Sequence, residues 1–232
     1  MVKKQKIVVL TGAGISAESG IATFRDANGL WENHAIEEVA TPEGWHKNPA
    51  LVLEFYNQRR AQLAKVEPNR GHLILKTWEE YFDVHIITQN VDNLHERAGS
   101  SNITHLHGEL TKVRSTYNPN LVYDIGTKPL HLGDKCEKGS QLRPHIVWFG
   151  EGVPMIDLAI KITQEADILV IVGTSMQVYP AAGLIDYAGS RVPIYIIDPH
   201  KPNVSLKRNM TFIEEKGSLG LQQLSNILRP TQ

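Results

Sequence analysis

Ile7-Val8-Val9-Leu10-Thr11-Gly12-Ala13-Gly14-Ile15-Ser16-Ala17 is the stretch whose reading decides the fold. Four consecutive apolar residues, mostly β-branched, have the character of a strand buried on both faces. They run directly into G-x-G-x-x-A, a glycine loop placed between a strand and a helix start. In that context Gly12 permits a tight turn and Gly14 lets the main chain approach a pyrophosphate. Ala17 allows close helix–strand packing. Free N–H groups at the helix start then meet the negative charge. Residues 84–88, 168–172 and 194–197 repeat the strand pattern. Helical patterns cover 49–66, 71–81 (opened by Asn69 as N-cap), 156–166, 181–188 and 218–228. Strands alternating with helices predict an α/β fold built on a Rossmann-like parallel sheet.

Two stretches break this rhythm. Residues 27–69 replace a short crossover with loop and helix, and residues 116–143 are rich in Asn, Pro, Gly, Asp and Lys with little period. Structureless loops of that length do not suit a compact domain. Both are therefore assigned to a small inserted lobe, 27–69 and 116–143. Residues 1–26, 70–115 and 144–232 form the sheet domain.

Composition narrows the function classes. The 232 residues carry 24 basic and 25 acidic side chains, a net charge of −1 with histidine neutral. No global field attracts nucleic acid or an anionic membrane, so neither is expected as a partner. One cysteine, Cys136, excludes an internal disulfide framework and a closed four-thiolate zinc site. The longest strongly apolar run, 168–172, is far short of the ~20 residues that cross a bilayer. The apolar stretch at 7–10 is too short for a signal peptide. These features predict a soluble protein of a reducing compartment, with cytoplasmic residence.

Polar clusters gather where strands end, the side on which open α/β sheets bind ligands. Thr88-Gln89-Asn90-Val91-Asp92-Asn93 supplies amides and a carboxylate suited to a carboxamide and hydroxyls. A helix cap explains one of those residues, not three. His105-Leu106-His107-Gly108 follows another strand, and an imidazole beside ribose hydroxyls makes a general base, although either histidine taken alone is more often a hydrogen-bonded structural residue. Gly173-Thr174-Ser175-Met176 ends a further buried strand. The acid that a dehydrogenase places about 20 residues beyond the loop has its counterpart at Glu32, yet residues 28–33 do not read as a strand. Hydride transfer on a standard Rossmann frame is disfavoured.

Taken in order, six pieces resemble the sirtuin (Sir2-like) NAD-dependent protein deacylases: 12–16 (GAGIS), 23–26 (TFRD), 88–92 (TQNVD), 105–109 (HLHGE), 143–151 (RPHIVWFGE) and 173–175 (GTS). The resemblance implies NAD and an acyl-lysine protein or peptide meeting between a Rossmann-like domain and a small lobe. Gly12, Ala13, Gly14, Ala17, Phe24 and Arg25 would hold the cofactor's phosphates and ribose. Gln89, Asn90 and Asp92 would surround nicotinamide and its ribose, with Asn90 and Asp92 counted as catalytic beside His107, the general base. Gly173, Thr174 and Ser175 line the other side, and Leu219 meets adenine. Val147, Trp148, Phe149 and Gly150 would offer main chain to an extended peptide. The products implied are nicotinamide, O-acyl-ADP-ribose and free lysine.

The helical segment 49–66 adds acyl preference. Tyr56 and Arg59, three apart, share a helix face, and a guanidinium beside a phenol suits a carboxylate. A solvated face with a partly buried tyrosine is the plainer account. The pair matches the Tyr-x-x-Arg of sirtuins that remove succinyl and malonyl groups. Two departures stand out. The family's four zinc cysteines fall at Ser115, Asn118, Cys136 and Gly139, so no structural zinc is expected. Asp198 stands where the family commonly has Asn near the adenine ribose, which favours NAD over NADP. The alternatives are mono-ADP-ribosyl transfer and a non-catalytic NAD or ADP-ribose sensor.

Overall fold

The computed structural model describes residues 3–21, 30–31, 34–202 and 205–228. In chain order the elements are β1 (Lys6–Thr11), α1 (Ala13–Ala17), β2 (Leu30–Trp31), β3 (His34–Ala35), α2 (Ile36–Val39), α3 (Pro42–Lys47), α4 (Pro49–Leu63), α5 (Arg70–Trp78), β4 (Asp83–Thr88), α6 (Leu94–Arg97), β5 (Ile103–His105), β6 (Gly108–Ser115), β7 (Val122–Asp124), β8 (Leu142–Ile146), α7 (Ile156–Gln164), β9 (Ile168–Val172), β10 (Ile194–Asp198), β11 (Met210–Glu214) and α8 (Gly217–Leu228). The helix expected over 181–188 is a 3₁₀ helix, Ala181–Tyr187.

Six strands form one parallel sheet in the order β11-β10-β9-β1-β4-β5. Alternation along β1 splits the core in two. Val8 and Leu10 face Ala159 and Ile162 of α7 and the 3₁₀ helix. Ile7 and Val9 face Leu75 and Trp78 of α5 and Leu221 and Leu224 of α8. Each fully buried aliphatic contributes about 1.5–3 kcal/mol, so both faces must be apolar, which is why the central strands read as unbroken hydrophobic runs. Asn69 caps α5 as expected: its Oδ1 accepts from Gly71 N at 2.8 Å, and His72 Nδ1 answers by accepting from Asn69 N at 3.3 Å.

A second, antiparallel sheet, β7-β6-β8, builds the small lobe. Its strands Gly108–Ser115 and Leu142–Ile146 take in residues that the sequence had left with the parallel-sheet part. Residues 116–143 are ordered around it rather than loose. Leu130 packs with Leu53 of α4 and Val113 of β6, flanked by Trp45, Tyr123, Ile125 and Leu142. Asn57 of α4 clasps the same loop. Its Oδ1 accepts from Leu130 N at 2.8 Å and its Nδ2 donates to Leu130 O at 3.0 Å. Arg60, fully buried, donates from Nη1 to Asn57 Oδ1 (3.1 Å) and from Nε to Leu110 O (2.9 Å). Burial lowers its pKa to about 10, against the pull of Tyr56, so it stays charged at neutral pH.

Asn57→Ala removes both bonds to Leu130 and leaves its buried main-chain groups unpaired. The expected cost is about 1–3 kcal/mol of unfolding free energy, read by urea denaturation. An unchanged transition would mean that packing around Leu130 alone holds the loop.

Candidate active site

Two glycine turns cross at the carboxyl ends of β1 and β9. Gly12 N donates to Val172 O at 3.0 Å and Gly14 N donates to Gly173 O at 2.9 Å. A Cβ on Gly12 would lie 2.7 Å from Gly173 O, and one on Gly14 would lie 2.6 Å from Gly173 Cα. Gly173 has φ +64°, and its own Cβ would come within 2.5 Å of Ile15 N. The Cβ direction of Gly14 is thus taken by the neighbouring turn, a reason for glycine that the motif alone did not supply. The role given to Ala17 in close packing is corrected: Ala17 is exposed. Ile15 packs inward instead, clustering with Ile7, Val9 and Val172 of the sheet and lying 3.4 Å from a Cβ placed on Gly71 of α5 and 3.6 Å from one on Gly217 of α8. Ala13 is half-buried, and its N–H has no partner among the described residues.

Ser16 of α1 joins this crossing to the loop after β4. Its hydroxyl donates to Asp92 Oδ2 at 2.9 Å and accepts from Asn90 Nδ2 at 3.1 Å. Asn90 Nδ2 also lies 3.1 Å from Gly12 O, and Asp92 Oδ1 accepts from Leu94 N at 3.1 Å. Both residues are buried. Burial pushes the Asp92 carboxyl up, opposed by the bonds from Leu94 and Ser16. Gln89 Nε2 reaches Thr174 Oγ1 at 3.2 Å, tying the ends of β4 and β9 together. Beneath them Thr11 Oγ1 donates to Thr88 Oγ1 at 2.9 Å and lies 3.1 Å from His95 Nε2. Ser16, Thr11 and His95 were absent from the residues singled out in sequence. Only Ser16 carried a signal, its place in the glycine motif.

His107 is half-buried, with Nδ1 3.0 Å from Gln89 O. A peptide carbonyl only accepts, so Nδ1 carries the proton and Nε2 presents a lone pair. Burial lowers the pKa of this imidazole, with the Gln89 carbonyl opposing, so it is neutral at pH 7. No hydrogen bond to its Nε2 is made by the described residues. Asp198 is buried at the end of β10 and accepts from His200 N at 2.9 Å; Leu219 is half exposed on α8. Ser175 is half-buried after β9. Phe24 and Arg25 lie outside the described residues.

On the lobe side, Tyr56 is fully buried and Arg59 nearly so, with the Arg59 guanidinium 5.5 Å from the Phe55 ring centre. The solvated-face account of this pair therefore fails. Trp148 Nε1 donates to the Tyr56 hydroxyl at 3.0 Å, and burial pushes that phenol up. Behind Trp148, Arg143 stacks 3.3 Å from the indole centre and pairs with Glu151 at 2.7 Å. Glu151 also takes Trp148 N at 2.8 Å. The expectation for 147–150 is narrowed: Val147 N donates to His107 O (2.9 Å) and Phe149 N to Ala40 O (3.0 Å). With Trp148 N also spent, a peptide laid along this segment meets carbonyls rather than these three donors.

The four zinc positions form a hydrogen-bonded contact. Ser115 Oγ accepts from Tyr117 N (3.2 Å), Asn118 N (3.3 Å) and the Cys136 thiol (3.4 Å). Gly139 N returns to Cys136 O at 2.8 Å. One thiol facing a hydroxyl already engaged by two N–H groups does not fit tetrahedral zinc. Elemental analysis of the purified protein should give substoichiometric zinc, with thermal stability unmoved by a chelator. One zinc per chain would refute this.

The Sir2 family pattern matches residues 12–180. A protein named NAD-dependent protein deacylase from Helicobacter pylori is 57% identical over 220 residues, covering 95% of this chain and 96% of that one. A protein of the same name from Bacteroides thetaiotaomicron is 53% identical over 231 residues, covering 97% and 99%. A solved Sir2 homologue–NAD complex superposes with TM-score 0.86 at 37% identity, over 97% of this chain and 89% of that one. A Sir2 complex with a p53 peptide and NAD gives 0.76 at 25% identity, over 97% and 93%.

Proposed function

The chain belongs to the Sir2 family, and on that premise we propose that it is an NAD-dependent protein-lysine deacylase that removes acetyl and, through Tyr56 and Arg59, succinyl and malonyl groups. The observation that carries the reading is a neutral imidazole, His107, anchored at Nδ1 and open at Nε2 beside a buried amide–carboxylate pair. The fit to NAD rests on the glycine crossing, the Ala13 N–H and the polar ends of β1, β4, β9 and β10, all on the side where parallel sheets bind nucleotides.

Bound NAD supplies an ADP-ribosyl group that accepts the acyl group as nicotinamide leaves. Gln89, Asn90 and Asp92 would flank the carboxamide and its ribose. Asp92 brings a carboxylate to a place where positive charge develops, held ready by Ser16 and Leu94 N. His107 Nε2 takes the proton of a ribose hydroxyl; Gln89 O keeps the ring in the tautomer that can do so. Gly12, Ala13, Gly14, Gly173, Thr174, Ser175, Asp198 and Leu219 would hold the remainder of the cofactor. Arg59 would meet the carboxylate of a negatively charged acyl chain, with Tyr56 fixed beside it by Trp148.

His107→Ala should retain the fold and lose about 10²–10⁴-fold in deacylation, measured by mass spectrometry of acetylated peptide incubated with NAD. A mass gain on protein would indicate ADP-ribosyl transfer instead, and neither product would indicate a sensor. Because the base works unprotonated and its pKa is depressed, kcat/KM should hold at neutral pH. It should fall only as pH drops through a value below that of an ordinary histidine. Near-normal turnover by the variant would remove His107 from the mechanism.

Arg59→Met should cut desuccinylation about 10–100-fold, the worth of a charge-assisted bidentate contact, while deacetylation changes much less. Equal loss of both activities would refute the acyl assignment.

A further inference from the structure

Two histidines two residues apart are anchored in the same manner at Nδ1 and differ in what meets Nε2. His105 Nδ1 lies 3.0 Å from Asn90 O, just as His107 Nδ1 lies 3.0 Å from Gln89 O. Both carbonyls only accept, so both rings carry hydrogen on Nδ1. The difference lies at Nε2. That of His105 meets Glu96 Oε1 of α6 at 2.7 Å, with the His105 side chain 9% exposed. The charged groups around His105 are Glu96 on α6, Glu109 on β6 with Lys112 bound to it at 2.7 Å, Asp92 in the intervening loop and His95 behind. Burial opposes charge on His105, but Glu96, the Asn90 carbonyl and Glu109 together raise its pKa. The Glu96 carboxyl is lowered by the same pair, against its own burial.

We propose that Glu96 and His105 form a positioning dyad for NAD. The imidazolium fixes the Asn90 carbonyl, and with it the 89–92 loop that presents Gln89, Asn90 and Asp92 to the nicotinamide end of the cofactor. Asn90 is held at its side chain by Gly12 O and Ser16, at its N–H by Thr88 Oγ1 (3.0 Å), and at its carbonyl by His105. Among these holds, the carbonyl bond is the one made by a charged donor, and such bonds are the strong ones. Glu96 acts one step further out, by keeping the ring protonated and oriented, as a carboxylate behind a histidine does. In this proposal both are positioning residues, acting through the 89–92 loop rather than on the reacting atoms.

The proposal rests on NAD as the bound cofactor, and its test separates the two ideas. His105→Asn places an amide N–H near the former Nδ1 and keeps the bond to Asn90 O. His105→Gln reaches Glu96 and loses that bond. The Gln variant should raise KM for NAD about tenfold or more, with kcat changing less, as expected for loss of one charge-assisted hydrogen bond. The Asn variant keeps the bond but not its charge and should fall between the Gln variant and wild type, and calorimetric NAD affinity should follow the same order. As pH rises through the raised pKa, His105 loses its proton and the Glu96 carboxylate faces a lone pair, so KM for NAD should climb on the basic side. Glu96→Gln, whose amide can donate to neutral Nε2, should abolish that limb and leave the acidic limb of His107 in place. If the Gln variant fails to fold, the Glu96→Gln pH profile decides alone. Equal NAD affinity in both His105 variants, or an unmoved basic limb, would overturn the dyad. So would wild-type activity lost to a chelator and restored by zinc or manganese, which would make Glu96, His105 and Glu109 ligands of a cation. A wild type that binds no NAD would sink the cofactor reading instead.

Discussion

Close main-chain contact between two turns governs the arrangement of this protein. Gly12 and Gly14 press against Gly173 with no room for a side chain on any of the three, and paired hydrogen bonds to Val172 O and Gly173 O seal the contact. β1 and β9 pair in parallel as far as Thr11 and Val172, and beyond them their carboxyl-terminal turns carry the contact on. The crossing sets where α1 starts, and so where Ser16 stands. Ser16 in turn orients Asn90 and Asp92. A side chain at any of the three glycines would separate the turns and displace the polar cluster as a unit.

Thr11, Thr88, Asn90, Asp92 and His95 are buried in this cluster, a costly environment unless polar groups find partners. It finds them mainly in main chain: Gly12 O, Leu94 N, Gln89 O and Asn90 O each hold one functional side chain. Anchoring to backbone makes the geometry depend on the sheet more than on neighbouring rotamers. It also lets two imidazoles on one short segment hold different protons, because the second ring nitrogen alone differs in surroundings.

Most of the sheet was legible because strands buried on both faces announce themselves as runs such as 7–10 and 168–172. β11 escaped notice: Met210–Glu214 mixes half-buried and exposed residues without regular alternation at the sheet edge, a weak signal. The strand pair Gly108–Ser115 and Leu142–Ile146 escaped for another reason, since its partners are separated by the intervening stretch 116–141 and local pattern says nothing about long-range pairing. At the site, Gln89, Asn90, Asp92 and His107 stood out as polar residues at strand ends. Ser16 did not, because its importance lies in what it holds; His105 was picked out beside His107, but its tie to Glu96 joins separate elements and leaves no local mark. The exposure of Ala17 shows the limit of a motif read by spacing: the inward face of α1 is taken by Ile15 and Ser16, and Ala17 falls off it.

Helix α4 spends a single turn on two tasks. Tyr56 and Arg59 belong to the proposed acyl pocket, while Asn57 and Arg60, each the next residue along, grip the loop at Leu130 and the strand at Leu110. The knuckle beyond that loop lacks the donor set of a tetrahedral zinc site, so this interleaved grip is part of what fixes the lobe's shape. Insertions or drift in the peripheral loop would therefore reach inward through one helical turn, giving evolution a handle on substrate choice that lies away from the substrate itself.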